Sequence, residues 1–394
     1  MNFQTKIVMN LKLTISLLII SLFGLISCDR NVVIERNYYT AEEFAQIRTA
    51  LNLPSEPYDY NLVYPRYLNT FSNPNIDYDL ATLGRVLFYD TNLSSDKSVS
   101  CASCHKQEKA FSDDVAFSGG VNGRVTKRNS LALGSVINFR LYYGNTVFNG
   151  VPFFWDNSAM TIQEQSIKTL ANPNEMNIHM NDVYKRVNDL EYYKPLIKKA
   201  LNIENASSDQ ILNAIAEFIN SLTNFDTKFD HAINAHFTKT GNTNIQNKPI
   251  SGLNIQEDMG KEIYLSKCAT CHGILAGRPG KTESNNGLYN EYPDKGVASI
   301  IGGTPRFKVP TLRNIMLTAP YMHDGSFATI DDVLDHYSSE IKNTEGLDPT
   351  LKQGSNPVKM NLSNEDRDAL KAFFNTMTDQ NVLVSPKFSD PFIR

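Results

Sequence analysis

Two stretches of the chain carry a pair of cysteines followed directly by a histidine. They read SCASCH at residues 100–105 and KCATCH at residues 267–272. Two cysteines at this spacing match the two vinyl groups of a porphyrin, and the adjacent histidine can ligate an iron at the ring centre. The spacing therefore predicts two covalently bound c-type haems. The predicted attachment residues are Cys101, Cys104, Cys268 and Cys271, and the predicted proximal ligands are His105 and His272.

A zinc site and a thioredoxin-like redox pair also use two cysteines separated by two residues. A single zinc ion would take both cysteine pairs and leave the two histidines without a role. A redox pair is expected once, in a βαβ setting that this sequence does not indicate. Haem attachment accounts for all four cysteines and both histidines, so the sequence favours it.

Composition limits the other classes of function. The chain has 394 residues, 41% of them hydrophobic and 20% charged, and its formal net charge is −4. This length is sufficient for two domains that each bury a core. The charge provides no basic surface, so we expect no nucleic-acid partner.

The N-terminus has the pattern of an export signal. An apolar run follows Lys6 and Lys12 and ends at Cys28, and it is too short to span a membrane. Its last four residues, LISC, resemble a bacterial lipobox, which predicts a lipoprotein signal over residues 1–28 and lipidation of Cys28. The alternative is a plain signal peptide that is cut nearby. Both predict an exported protein of the cell envelope, either periplasmic or anchored to a membrane.

The elements that position the two motifs are predicted to be helices. Residues 84–88 (GRVLF) and 260–264 (GKEIY) precede the two motifs and indicate an internal repeat. Apolar residues recur at helical spacing, and a cap is predicted at Ser363 and Asp366. The two apolar faces comprise Ile211, Leu212, Ile215, Phe218, Ile219 and Leu222, and then Leu370, Phe373 and Phe374.

We therefore predict a mainly α protein with two cytochrome c-like haem domains and long loops. The polar stretch 238–251 has the composition of a linker. The predicted divisions are an N-terminal extension over 29–75, a first haem domain over 76–240 and a second over 241–394.

Three further stretches resemble a known family. They are LSSDKSVSCASCHKQEKAFSDD (93–114), FFWDNSAMTIQEQSIKTLANPNEM (153–176) and FKVPTLRNIMLTAPYMHDGSFATIDDVLDHY (307–337). Together with the second haem motif, they resemble the bacterial dihaem cytochrome c peroxidase and MauG family in order and spacing. The resemblance implies a peroxidatic haem in the N-terminal domain and an electron-transferring haem in the C-terminal domain.

The resemblance also implies how the first haem reacts. Classical members carry a removable histidine ligand in the loop that here reads FSGGVNGRVTKRN (117–129), and this loop has no histidine. We therefore expect a vacant iron face opposite His105. By family position, Glu175 is the acid/base and Gln165 its distal hydrogen-bonding partner, although Glu175 taken alone resembles an exposed loop carboxylate. Thr169 stands where relatives commonly have proline, which leaves the shape of the pocket open.

The resemblance also implies positions for Trp155 and His323 relative to the haems. Trp155 is the only tryptophan of the chain, and an isolated tryptophan is usually a core residue. The resemblance instead places it between the haems as an electron relay. His323 is implied to lie beside the electron-transferring haem without ligating it.

Tyr337 is the expected second ligand of the C-terminal haem. It follows His323 by fourteen residues, the position at which MauG uses tyrosine and reductively activated peroxidases use methionine. It also falls on one helical stripe with three apolar residues, from which His336 is turned by about 100°. The stripe comprises Ile330, Val333, Leu334 and Tyr337. His336 and Met322 are the alternative ligands.

The resemblance further implies a calcium ion between the haems, held by the side-chain oxygen of Asn129 and the carbonyl oxygens of Thr318 and Pro320. Three functions compete. The first is reduction of hydrogen peroxide with electrons from a cytochrome c or a similar donor. The second is MauG-like oxidation of a partner protein's side chains, and the third is electron transfer without catalysis. A homodimer is compatible with all three.

Overall fold

The computed structural model describes residues 38–62, 64–68, 75–134, 136, 152–275 and 280–394. The predicted signal segment and Cys28 lie outside them. Residues 41–394 form one compact unit. Residues 1–40 form another, of which Tyr38, Tyr39 and Thr40 are described.

The described residues are mainly helical, as predicted. The α-helices are α1 Ala41–Ile47, α2 Tyr78–Tyr89, α3 Cys101–Cys104, α4 Ile162–Ala171, α5 Met180–Asp189, α6 Tyr193–Leu201, α7 Ser208–Ser221, α8 Lys228–Thr240, α9 Ile255–Lys267, α10 Ala269–His272, α11 Ala298–Ile301, α12 Ile330–Asp335, α13 Asn364–Thr376 and α14 Asn381–Val384. The strands are two residues long and form two antiparallel pairs. They are β1 Glu283–Ser284 with β2 Phe307–Lys308, and β3 Lys352–Gln353 with β4 Asn356–Pro357. None of the described helices is both long and apolar enough to cross a membrane.

Helix α7, with 14 residues, belongs to the first half of the predicted repeat. It begins with a capping box in which Ser207 accepts from the backbone N–H of Gln210 and the Gln210 side chain accepts from the backbone N–H of Ser207. Its predicted apolar face is buried. Helix α2 crosses it so closely that a Cβ atom added at Gly84 would lie 1.9 Å from the carbonyl oxygen of Ala214.

In the second half, helix α9 crosses α13 in the same way that α2 crosses α7 in the first half. The predicted cap of α13 is present, since Ser363 and Asp366 form a capping box. A Cβ atom added at Gly260 would lie 1.9 Å from the carbonyl oxygen of Ala369. The two halves therefore repeat one helix crossing, with glycine at the corresponding position of each leading helix, and this confirms the internal repeat. The proposed domain boundaries stay predictions.

A buried ion pair ties the segment after β2 to α8. Arg313 donates to both carboxylate oxygens of Asp230, at 2.7 and 2.8 Å, and both side chains are at most 2% exposed. Tyr67 also donates to Asp230. The segment that follows β2 carries several candidate site residues. These buried contacts with Asp230 hold it in place.

Candidate active site

The first haem motif opens onto a cavity of about 810 Å³. This volume falls within the usual range of cofactor pockets, about 300–1,000 Å³. The structure brings all the predicted residues of the N-terminal site to this cavity. Its lining includes Cys101, Cys104, His105, Trp155, Gln165 and Glu175.

His105 is oriented to ligate a metal through one nitrogen. It ends α3, which begins with a capping box between Ser100 and Ser103. Its Nδ1 lies 2.9 Å from the carbonyl oxygen of Phe111. A carbonyl only accepts, so Nδ1 carries the proton and Nε2 keeps a lone pair, which is the usual arrangement of a metal-bound histidine. Burial lowers the pKa of His105, which favours the neutral imidazole that iron requires.

The thiols of both haem motifs lie in surroundings that raise their pKa. Burial raises the pKa of Cys101 to about 12 and that of Cys104 to about 11. In the second motif, burial raises the pKa of Cys268 to about 12. Each pair also lines its own cavity, so the two pairs do not share one ion.

Glu175 and Gln165 belong to one hydrogen-bonded group. Gln165 lies on α4, and its Nε2 donates to Oγ1 of Thr169 one turn later at 3.0 Å. Glu175 accepts from Nδ2 of Asn172 at 2.7 Å and also interacts with the Thr169 hydroxyl. Burial raises the pKa of Glu175. Thr169 thus joins the two predicted catalytic side chains, a role that the sequence alone did not reveal.

The second motif lines a separate, narrower cavity of about 200 Å³. Helix α9 ends at Lys267 and continues directly into Cys268 and α10, without the insertion found in the first half. Nδ1 of His272 lies 3.0 Å from the carbonyl oxygen of Pro310, so this imidazole also keeps a free Nε2. The volume is below that of most cofactor pockets, so a porphyrin would require lining side chains to move apart.

Tyr337 lines the second cavity together with the whole predicted stripe, Ile330, Val333 and Leu334. His336 does not line it. Its Nε2 lies 3.1 Å from the carbonyl oxygen of Asn286, and its side chain is 1% exposed. Helix α12 ends at Asp335 and a π-helix follows over His336–Glu340, a feature that is frequent at functional sites. Burial raises the pKa of Tyr337, so a bound cation is needed to favour its phenolate.

Met322 lines the same cavity and remains a geometrically possible ligand. Its sulfur accepts from Nδ2 of Asn286 at 3.4 Å. The orientation predicted for Tyr337 and His336 is therefore found, while the choice of iron ligand stays a prediction.

Trp155 lies between the two cavities and lines both. Its Nε1 donates to the carbonyl oxygen of Asn129 at 2.9 Å, and the backbone N–H of Asn129 donates to the carbonyl oxygen of His323 at 2.8 Å. Asn129 thus links Trp155 to His323. The indole and imidazole rings lie 6.5 Å apart between centroids.

Lys308 is a residue of both cavities that sequence reasoning missed. It lies on β2 and is 5% exposed, and its backbone N–H donates to the carbonyl oxygen of Trp155 at 2.8 Å. Its ammonium group donates to the carbonyl oxygen of Pro152. Burial lowers the pKa of Lys308 to about 7. A lysine in a two-residue strand carries no sequence signal for such burial, although a buried cation suits the carboxylates of a porphyrin.

The three predicted calcium ligands, Asn129, Thr318 and Pro320, all line the second cavity. The Asn129 amide nitrogen donates to the carbonyl oxygens of Val115 and Ala116, at 3.2 and 3.5 Å. In the described part of the chain, no three His, Cys, Asp or Glu side chains cluster as metal ligands. An ion here would therefore depend on amide and carbonyl oxygens, which are hard donors of the kind calcium uses.

Comparison with known proteins agrees with this arrangement. Residues 78–237 match the family model described as di-haem cytochrome c peroxidase, and residues 258–378 match that of cytochrome c. Cytochrome c551 peroxidase of Nitrosomonas europaea is 30% identical over 65% of this chain and 72% of its own. The methylamine utilization protein MauG of Methylophilus methylotrophus is 28% identical over 78% of this chain and 84% of its own.

Two solved structures share the fold. A MauG-like protein associated with microbial copper homeostasis superposes with a TM-score of 0.70 and 29% identity, over 84% of this chain and 99% of that one. The diheme peroxidase BthA from Burkholderia thailandensis has a TM-score of 0.60 and 20% identity, over 81% and 91%. With two haem motifs on two separate cavities and these relatives, the chain belongs to the di-haem cytochrome c peroxidase and MauG family and is an oxidoreductase with two haems.

Proposed function

We propose that this protein reduces hydrogen peroxide to water with electrons from a cytochrome c or a similar one-electron donor. One observation carries the proposal: Glu175 and Gln165, joined through Thr169, line the same cavity as His105. When bound there, the haem would supply an iron that delivers electrons to peroxide.

The residues of the first cavity have separate tasks in this reaction. Cys101 and Cys104 would attach the porphyrin, and His105, with Nδ1 bonded to the carbonyl oxygen of Phe111, would ligate its iron through Nε2. Glu175 would accept a proton from one peroxide oxygen and return it to the departing oxygen, as general acid–base catalysis requires. Gln165 keeps Glu175 in place through Thr169 and can donate to the departing oxygen.

Peroxide can reach the predicted haem only if no protein side chain occupies the side opposite His105. Among the described residues that line the first cavity, His105 is the only histidine, and Met176 also lies there. We propose that the opposite iron face is vacant in the resting protein. Peroxide can then react without prior reduction of the second haem.

Tyr337 is proposed as the second ligand of the C-terminal haem, with Trp155 carrying electrons between the two cavities. A phenolate ligand stabilises ferric iron, so the second haem would share an oxidising equivalent instead of waiting in the reduced state. We also propose a calcium ion at Asn129, Thr318 and Pro320, which would hold the two sites at a fixed separation.

Steady-state turnover tests the proposal. Reduced cytochrome c should be oxidised at the expense of hydrogen peroxide, with two molecules of cytochrome consumed per peroxide. Glu175→Gln should abolish most of this activity while both haems stay attached. A wild-type holoprotein that does not consume peroxide with any reduced cytochrome c or small one-electron donor would contradict the proposal.

MauG-like oxidation of a partner protein is the second candidate, and it is favoured by Tyr337 on the second cavity and by the MauG relatives. Rapid turnover with reduced cytochrome c supports the peroxidase. A peroxide-oxidised protein that persists in the presence of cytochrome c, yet is discharged by a protein with oxidisable side chains, supports the MauG-like reaction.

Export and lipid anchoring at Cys28 are proposed from the sequence pattern alone. The cell envelope would supply the oxidising compartment and the haem-attachment machinery that c-type motifs need. Radiolabelled fatty acid should be incorporated into the wild-type protein and not into a Cys28→Ala variant. Whether the protein forms a homodimer is decided by its mass in solution.

A further inference from the structure

Beside Trp155, five rings form a continuous cluster that we call the aromatic cluster. Its members are Trp155, Tyr289, Tyr292, Phe307 and His323. His323 stacks on Phe307 with centroids 3.7 Å apart and an interplanar angle of 22°. The cluster begins where the two cavities meet, because Trp155 lines both of them.

The cluster leads outward through the two tyrosines. The Tyr292 ring lies 6.4 Å from His323 and 5.6 Å from the Tyr289 ring. Tyr289 also lies 6.4 Å from His323. All these separations fall within the range of about 4.5–7 Å at which aromatic rings interact directly. Every step from Trp155 to Tyr289 is therefore a contact between neighbouring rings.

Tyr292 and Tyr289 differ in exposure and in their hydrogen bonds. Tyr292 is buried, and its hydroxyl donates to Oδ1 of Asn285 at 2.9 Å. Tyr289 is half-buried, and its hydroxyl donates to the carboxylate of Asp324 at 2.5 Å. Of the two tyrosines, Tyr289 is thus the one that faces solvent with a proton acceptor already bound. Burial and the hydrogen bond to Asp324 raise the pKa of Tyr289, so its phenol is protonated at neutral pH.

Ion pairs hold the two ends of the cluster together. Arg128 contacts Asp156, next to Trp155, at 2.5 Å, and Asp294, two residues after Tyr292, at 2.6 Å. All three side chains are at most 30% exposed, so water screens these pairs less than surface ones. The segment that carries the tyrosines is therefore fixed against the segment that carries Trp155.

We propose that Tyr289 is a redox-active site at which one-electron donors too large to enter the cavities deliver their electrons. The inference rests on the proposed peroxide reaction, which supplies the oxidant. Tyr289 loses one electron to Trp155 through the aromatic cluster, and its phenolic proton passes to the Asp324 carboxylate. The donor, a redox protein or a phenol, then returns one electron and Asp324 returns the proton. Two such passages, with two protons from solvent, reduce one hydrogen peroxide to two waters.

Electron paramagnetic resonance of the peroxide-treated holoprotein tests this directly. Without a donor, the wild-type protein should show a tyrosyl radical, identified by its narrowing when ring-deuterated tyrosine is incorporated. Tyr289→Phe should lose this signal, and its turnover with reduced cytochrome c should fall by at least about tenfold. Tyr184→Phe is the matched control, since Tyr184 is an exposed tyrosine on α5, and it should keep both.

Asp324→Asn is the second variant, because it keeps an oxygen acceptor for the Tyr289 hydroxyl but binds the departing proton poorly. It should lower the radical yield while the tyrosine remains. The proposal is overturned if Tyr289→Phe retains the wild-type radical and turnover, or if the radical is unchanged in both variants. The rate at which peroxide changes the haem absorption distinguishes a failure of the Tyr289 proposal from a failure of the proposed peroxide reaction. It should be equal in Tyr289→Phe and wild type, and a wild-type protein that does not react with peroxide contradicts the proposed function instead.

Discussion

At the scale of single residues, the first cavity owes its chemistry to a buried carboxylate. Glu175 is buried beside Asn172 and Thr169, and burial raises its pKa. A catalytic base with a raised pKa transfers protons more effectively near neutral pH than an exposed glutamate does. Burying a carboxylate costs free energy, and a residue that only shapes a loop has no function that offsets this cost.

Replacing Glu175 with glutamine should slow the reaction of the oxidised protein with peroxide by about 10²–10⁴-fold. Glu175 must be a carboxylate to accept the first proton. The wild-type rate should therefore fall as the pH drops through its raised pKa, and Glu175→Gln should lose this dependence. Stopped-flow absorption over a range of pH measures both effects. Glu164→Gln is the control, because Glu164 lies on α4 and is paired with Lys168 at the surface, and it should behave as wild type.

Tyr337 determines the properties of the second haem in this account. Tyr337→Phe should alter the optical and paramagnetic resonance spectra of that haem, because it removes the ligating oxygen. Tyr337→Met should raise its reduction potential by part of the range of about 0.8 V that axial ligands span. His336→Asn should leave the spectra unchanged. Wild-type spectra in Tyr337→Phe would exclude tyrosine and favour Met322.

At the scale of elements, each half of the molecule depends on one close helix crossing. Gly84 and Gly260 allow α2 and α9 to approach α7 and α13, where a Cβ atom would lie 1.9 Å from a carbonyl oxygen. These crossings position the helices that precede the two haem motifs.

Gly84→Ala and Gly260→Ala should each destabilise the protein by about 1–3 kcal/mol, since the added methyl group overpacks the crossing. Chemical denaturation of the holoprotein measures the change in the free energy of unfolding. Gly119→Ala is the control, because nothing lies within 4 Å of a Cβ atom there. Equal stability of all three variants would contradict the close packing.

Local sequence patterns predicted much of this architecture. The cysteine spacing identified the haem motifs, and helical periodicity located α7, α13 and the side of Tyr337 that meets the cavity. The role of Lys308 could not be predicted, because it depends on a contact with Trp155 that forms only in the folded chain. The role of Thr169 is local, but it depends on hydrogen bonds of its hydroxyl that no sequence pattern specifies. The aromatic cluster, like the Lys308 contact, is non-local, since Trp155 and Tyr289 are 134 residues apart in the sequence.

At the scale of the whole molecule, the ion pair between Arg313 and Asp230 connects α8, which lies in the predicted first haem domain, to the segment after β2, which lies in the predicted second one. Both side chains are buried, so removing one partner leaves a charge without compensation. Asp230→Asn should cost about 3–5 kcal/mol of folding free energy. Lys371→Met removes a more exposed ion pair with Asp331 and should cost less than about 1 kcal/mol. Denaturation of the two variants in parallel compares these costs, and similar losses would contradict the structural role of Arg313.

The proposed reaction requires that the first haem site is open to peroxide in the resting, fully oxidised protein. Electron paramagnetic resonance before and after one equivalent of hydrogen peroxide, without any reductant, tests it most directly. The account predicts a high-spin ferric signal from one haem at rest and its loss within the mixing time after peroxide is added. Two low-spin haems at rest, together with no reaction until the second haem is reduced, would contradict it.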